Sequence, residues 1–155
     1  FLSLLREGEP ALHRSRSAGH LTASAWVVDD RRRRVLLVHH RKLGKWLQPG
    51  GHADGEEDLL SVARKEVVEE TGVATYAPRG EAIFDLDIHP IPQHGELSEH
   101  EHFDVRYLLE AEGEKEPRGN DETHDVRWVD VHRLEELTVE ESLLRMRRKW
   151  EELRL

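Results

Sequence analysis

Residues 51–73 read GHADGEEDLLSVARKEVVEETGV, and the reading of the whole chain turns on them. Just ahead, Pro49-Gly50-Gly51 breaks the chain. Leu59 to Thr71 is the clearest helix in the sequence. Gly72 sits just past its end, where a helix-terminating glycine belongs. On a wheel of about 100° per residue, Leu59, Leu60, Ala63 and Val67 share one arc, the expected buried stripe. Glu70 falls inside that arc, Glu66 near its edge, and Glu69 further round.

Carboxylates crowded beside a buried stripe are costly. Like charges one turn apart repel. A desolvated carboxylate without a partner destabilises the fold or gives up its charge. A divalent cation with hard oxygen ligands offsets that cost. The wheel alone leaves a second reading open, an acidic helix end on the surface paired with nearby lysines and arginines.

The surrounding residues add weight to the first reading. The segment resembles the Nudix box, G-x5-E-x7-R-E-U-x-E-E-x-G-U with U aliphatic. Gly51 and Glu57 match the first two fixed positions. Glu66, Val67, Glu69, Glu70, Gly72 and Val73 match the rest. Lys65 stands where the family has arginine, and Arg64 is displaced from that position by about 100° round the helix. Trp46-Leu47-Gln48-Pro49-Gly50 is similar to the strand that leads into such a box. The resemblance extends over the element order from Leu21 to Trp150.

The resemblance implies a mixed sheet between helices: an α/β/α sandwich of the mixed α/β, or α+β, class. It implies that Glu66, Glu69 and Glu70 hold Mg2+, with Mn2+ an alternative, helped by the backbone carbonyl of Gly50. Glu57 would pair with the cation at position 65, where Lys65 offers a point charge in place of a two-pronged guanidinium. It implies hydrolysis of a diphosphate: cations neutralise the phosphate oxygens and acidify water, and a carboxylate takes the proton. Glu66 and Glu122 stand equally as that base, ahead of Glu96, Glu99 and Glu101.

Outward from the box, Leu21–Val28 and Val35–His39 read as two strands of a hairpin around the charged turn Asp29–Arg34. Phe1–Arg6 reads as a short amphipathic helix followed by a polar lead-in to residue 20. Glu81–Ile88, Phe103–Glu110 and Val126–Val129 read as strands, with Pro90–Glu99 and Glu112–Thr123 as loops. Val131–Leu137 and Glu140–Leu153 read as helices, the second carrying Leu143, Leu144, Arg147 and Trp150 at helical spacing. Strands and helices do not alternate strictly, which favours a mixed sheet. The expected organisation is one domain over residues 1–155.

Several other features carry two readings each. Arg31–Arg34 is a phosphate grip or a solvated hairpin tip. His39, His40, Arg41 and Lys42 contact substrate phosphate or lie on the surface. Trp46, Tyr107 and Phe84 stack on a base or pack in the core. On a strand, His100, His102, Asp104 and Arg106 share one face, which gives either a zinc site or a polar sheet face.

Composition narrows the classes. The chain has 155 residues, a net charge of -9 and no cysteine, so thiol and disulfide chemistry are excluded. Lack of cysteine fits a cytoplasmic setting. No apolar run is long enough to span a bilayer. Phe1–Pro10 is too short and too mixed in charge for a signal peptide. A start at Phe1 rather than Met leaves room for upstream residues. The acidic balance argues against strong nucleic-acid binding. The expected partner is a small nucleotide or other diphosphate, in particular a nucleoside diphosphate linked to another group. Removal of diphosphate from RNA 5' ends and a non-catalytic sensor are the alternatives. Prenyl diphosphate isomerases of related fold use a cysteine, which this chain lacks. Dimers are common among the resembling proteins, so a homodimer is a further expectation.

Overall fold

A computed structural model of the chain describes residues 1–93 and 98–153. Its centre is β1 (Gly19–Val28), all ten residues of which are buried. This strand runs parallel to β7 (His100–Ala111), in register from Gly19↔Glu101 to Val28↔Glu110. The other strand pairs are antiparallel, so the sheet is mixed.

The expected hairpin is joined only at its turn end. β1 meets β2 (Arg34–His40) at Val28↔Val35, and then the strands part. The Asp29 carboxylate closes the turn by accepting from the backbone N–H groups of Arg33 and Arg34 at 2.7 and 2.9 Å. Two short strands fill the widening gap. β3 (Lys45–Leu47) pairs with β2, and β4 (Gly50–His52) pairs with β1. Pro49-Gly50-Gly51, expected as a simple break, is therefore the start of a strand. Glycine is needed there because a Cβ on Gly50 would lie 2.2 Å from Ser24 Cβ. β8 (Thr123–Asp130) flanks β2, while β5 (Thr75–Tyr76) and β6 (Ile83–Ile91) flank β7.

Side chains alternate across β1 and divide the core into two layers. Leu21, Ala23, Ala25 and Val27 pack with Val62, Ala63 and Val67 of α2 (Leu59–Thr71). Trp26 and Val28, with Val35 and Leu37 of β2, pack with Leu143, Met146 and Trp150 of α3 (Glu141–Leu153). The result is the expected α/β/α sandwich. Asp58 caps α2 by accepting from Ser61 N–H at 3.0 Å, and Gly72 ends it at φ +69°.

Two stretches differ from expectation. The short amphipathic helix expected at Phe1–Arg6 is present, but the stretch after it is not merely polar. α1 (Leu2–Leu5) and a 3-10 turn, Glu9–Leu12, bury Leu4, Ala11 and Leu12 in the α2 layer. Ala11 and Leu12 lie past Gly8 in a four-residue turn, too short for any periodic pattern to mark them as core. β6 also runs through Pro90 to Ile91, although a loop was expected from Pro90. Its hydrogen-bonded neighbour is β7, and proline is tolerated on such a strand when its missing N–H faces away from the ladder.

Candidate active site

α2 delivers its three glutamates to different environments, as the wheel anticipates. Glu70 is buried, Glu66 half-buried and Glu69 exposed. Glu70 accepts from the backbone N–H of Gly50 at 3.0 Å, which ties the helix to β4. Burial pushes the Glu70 carboxyl up to about 8. The Gly50 N–H opposes that rise, and the charges of Glu66, Glu122 and Glu69 add to it. Burial, then the Glu69 charge, also raises Glu66. The Glu66 carboxylate lies against the Cα of Gly51, since a Cβ there would fall 2.5 Å from its Cδ.

Glu122 reaches this cluster from the loop before β8, and its charge acts on both Glu66 and Glu70. Two hydrogen bonds hold that loop against the end of α2, and a third closes the loop on itself. Asn120 Nδ2 donates to the Glu69 carbonyl at 3.2 Å. Arg118 N–H donates to the Thr71 carbonyl at 2.8 Å. Glu122 N–H donates to Asn120 Oδ1 at 2.9 Å. Arg41 belongs to the same corner. Its N–H donates to the Glu122 carbonyl at 2.9 Å and its guanidinium to the Thr123 carbonyl at 3.0 Å.

Other expected residues lie elsewhere. Lys65 reaches Glu69, at 3.7 Å, rather than Glu57. Glu69 is one helical turn away, whereas exposed Glu57 precedes the Asp58 cap. Arg64 does not substitute for the family arginine, because it donates to the Thr75 carbonyl at 2.8 Å. Trp46 and His39 pack in the α3 layer, on the opposite side of the sheet from α2. The Arg127 guanidinium stands 4.6 Å from the Trp46 ring centroid, so one face of that ring is taken. Glu99 and Glu101 are exposed, and Glu96 lies outside the described residues.

Arg14 and Asp54 were not anticipated. The Arg14 guanidinium donates to Asp54 at 2.7 Å, and the charges of Glu66 and Glu122 reach it as well. Arg14 is thus a cation at the edge of an acidic cluster. The lead-in carries no motif that would single it out.

Arg106 and Asp104 share a sheet face, as their spacing predicts, but they form a buried charge cluster. Arg106 donates to Asp104 at 2.8 Å, Asp87 at 3.0 Å and Asp85 at 3.4 Å. Asp104 in turn accepts from Thr22 at 3.0 Å and Ser24 at 2.7 Å. From α3, Arg145 binds Asp85 and Asp87, and Lys149 binds Asp85. Burial pushes Asp85 up, but Arg145 and Lys149 outweigh it and hold it below the usual carboxylate range.

Fold and acids together define a mixed-sheet sandwich with a glutamate-rich helix docked on a glycine strand. Comparison with known proteins gives the same result. The family profile described as NUDIX domain matches residues 19–150. A protein of Lactococcus lactis subsp. cremoris described as a "Probable DHNTP pyrophosphohydrolase" is 34% identical over 94 residues. The match covers 59% of this chain and 54% of that relative, so the chain spans about half of the relative's length. A NUDIX-family hydrolase from Clostridium perfringens superposes with a TM-score of 0.63 at 26% identity. That match covers 86% of this chain and 97% of the other. The NUDIX domain of Shewanella oneidensis NrtR, solved with ADP ribose, superposes with a TM-score of 0.60 at 18% identity, covering 99% and 98%. The chain belongs to the Nudix family.

Proposed function

We propose that the chain is a divalent-metal-dependent hydrolase of the diphosphate linkage in a nucleoside diphosphate joined to another group. The observation that carries this reading is Glu70, a buried carboxyl pushed up to about 8 with Glu66, Glu69 and Glu122 around it. Such a cluster has too much negative charge to stand alone, and its donors are all oxygens. That donor set fits Mg2+ or Mn2+, with Gly50 offering a further carbonyl.

Glu66, Glu69 and Glu70 would hold the cation, which when bound would neutralise phosphate oxygens and acidify water. The chain's own residues do the rest. Arg14 and Arg41 flank the acids and hold phosphate oxygens by charge-assisted hydrogen bonds. Glu122, exposed and mounted on a loop pinned by Asn120, takes the proton from the attacking water. Glu66 remains a ligand because it is wedged against Gly51. The charge of -9 favours a small substrate over RNA. The curated relative's description, a pyrophosphohydrolase, supports the same bond type.

The test is a panel of nucleotide substrates with Mg2+, scored for phosphate release. Glu69→Gln and Glu70→Gln are each expected to lower turnover by roughly 10²- to 10⁴-fold while far-UV circular dichroism stays native. Near-normal turnover in both variants would refute the assignment.

A further inference from the structure

On the sheet face opposite α2, five histidines from four strands converge. His20 is on β1, His52 on β4, His89 on β6, and His100 and His102 on β7. Register explains the meeting, since His20 and His89 both pair with His102 across neighbouring strands. The His20 ring centroid is 5.0 Å from His102, 5.1 Å from His52 and 5.2 Å from His100. One donor nitrogen each from His20, His100 and His102 lies within 4.8 Å of the others.

We propose that His20, His100 and His102 form a binding site for a borderline divalent cation of the zinc class, with His52 beside them as a fourth imidazole.

Unmet bonding supports this. His20 is 2% exposed, and neither of its ring nitrogens closes a hydrogen bond of good geometry. The Arg16 carbonyl stands near enough to serve one of them at most. His102 Nε2 is also buried without a partner. A buried polar atom without a partner is costly, and a metal ion removes the cost.

The outer contacts suit metal ligation, where the far ring nitrogen usually bonds an oxygen that fixes the tautomer. His100 Nδ1 bonds the Ser98 carbonyl at 2.8 Å, which leaves Nε2 for a cation. His89 Nδ1 bonds Asp87 at 3.1 Å, so a carboxylate charge stands one ring away. Nitrogens around a tetrahedral zinc are about 3.4 Å apart. Ring rotation therefore has to draw these ligands together by roughly 1.4 Å from their 4.8 Å limit.

The site is separate from the glutamates. Gly51 faces Glu66 on the α2 side, and its strand neighbour His52 faces His20 on the other. Chemistry separates them too, because imidazole favours zinc, cobalt, nickel and copper whereas Mg2+ demands oxygen.

The test loads the untagged chain with Zn2+ in excess Mg2+, passes it through gel filtration and counts zinc by elemental analysis. One equivalent is expected, and Glu69→Gln/Glu70→Gln should retain it. His100→Ala and His102→Gln should each weaken zinc by at least about tenfold. Both should also lose the visible absorption that Co2+ shows among nitrogen ligands. His100 is half-buried near its strand end, so His100→Ala decides the matter if His102→Gln fails to fold. Absence of retained zinc in the parent chain would overturn the proposal. So would zinc kept by His100→Ala but lost from the glutamate variant.

Discussion

Gly51 acts through the side chain it lacks. A Cβ there would meet the end of Glu66, a flexible group that can swing aside, whereas a Cβ on Gly50 would lie 2.6 Å from Ser24 Cα. The two glycines therefore separate function from stability. Gly51→Ala is expected to keep its melting temperature within a few degrees of the parent while losing about a hundredfold in turnover, because small misplacements at a reacting centre are costly. Gly50→Ala is expected to unfold far more easily, since backbone must move. Full turnover in Gly51→Ala would show that the position of Glu66 does not matter. Lys65 teaches a related lesson. The box pattern suggests a partner in Glu57, but the nearest carboxylate on the helix takes the charge instead.

At the level of elements, β6 is built the opposite way round from an ordinary half-buried strand. Leu86 and Ile88 face outward, while Asp85 and Asp87 face the layer under α3. The inversion holds because β7 supplies Arg106 and α3 supplies Arg145 and Lys149. Arg106 is 1% exposed and serves three aspartates. Removing it leaves buried anions short of a partner. Arg106→Met is expected to cost about 3–5 kcal/mol in urea unfolding. A loss under about 1 kcal/mol, small on the scale of point mutations, would mean the cluster contributes little. Aspartates held below their usual range give stability that is present above their unfolded values and fades as pH falls, so acid should loosen this corner.

At the level of the molecule, legibility followed local pattern. α2, its stop at Gly72 and its graded burial could be read because a 3.6-residue period, a glycine and the acid spacing all lie within one segment. β1, β7 and α3 were legible for similar reasons. The parting of β1 from β2, the strand at Gly50–His52 and the buried lead-in were not, because each depends on a partner distant in sequence. For the same reason Arg14 stayed hidden, and so did the meeting of five histidines. The sequence displayed His100 and His102 on one face, but His20 and His52 join them only through register.

The central claim is that divalent cations balance the glutamates around Gly50 and Gly51. Calorimetric titration of the metal-free chain with Mg2+ near pH 7, repeated in buffers of different ionisation enthalpy, tests it most directly. Glu70 sits at about 8 without metal, so saturable uptake should release close to one proton, and affinity should rise with pH up to that value. Glu70→Gln should remove both the proton and most of the affinity. Saturable uptake without proton release would contradict the role of Glu70, and no saturable uptake at all would contradict the claim itself.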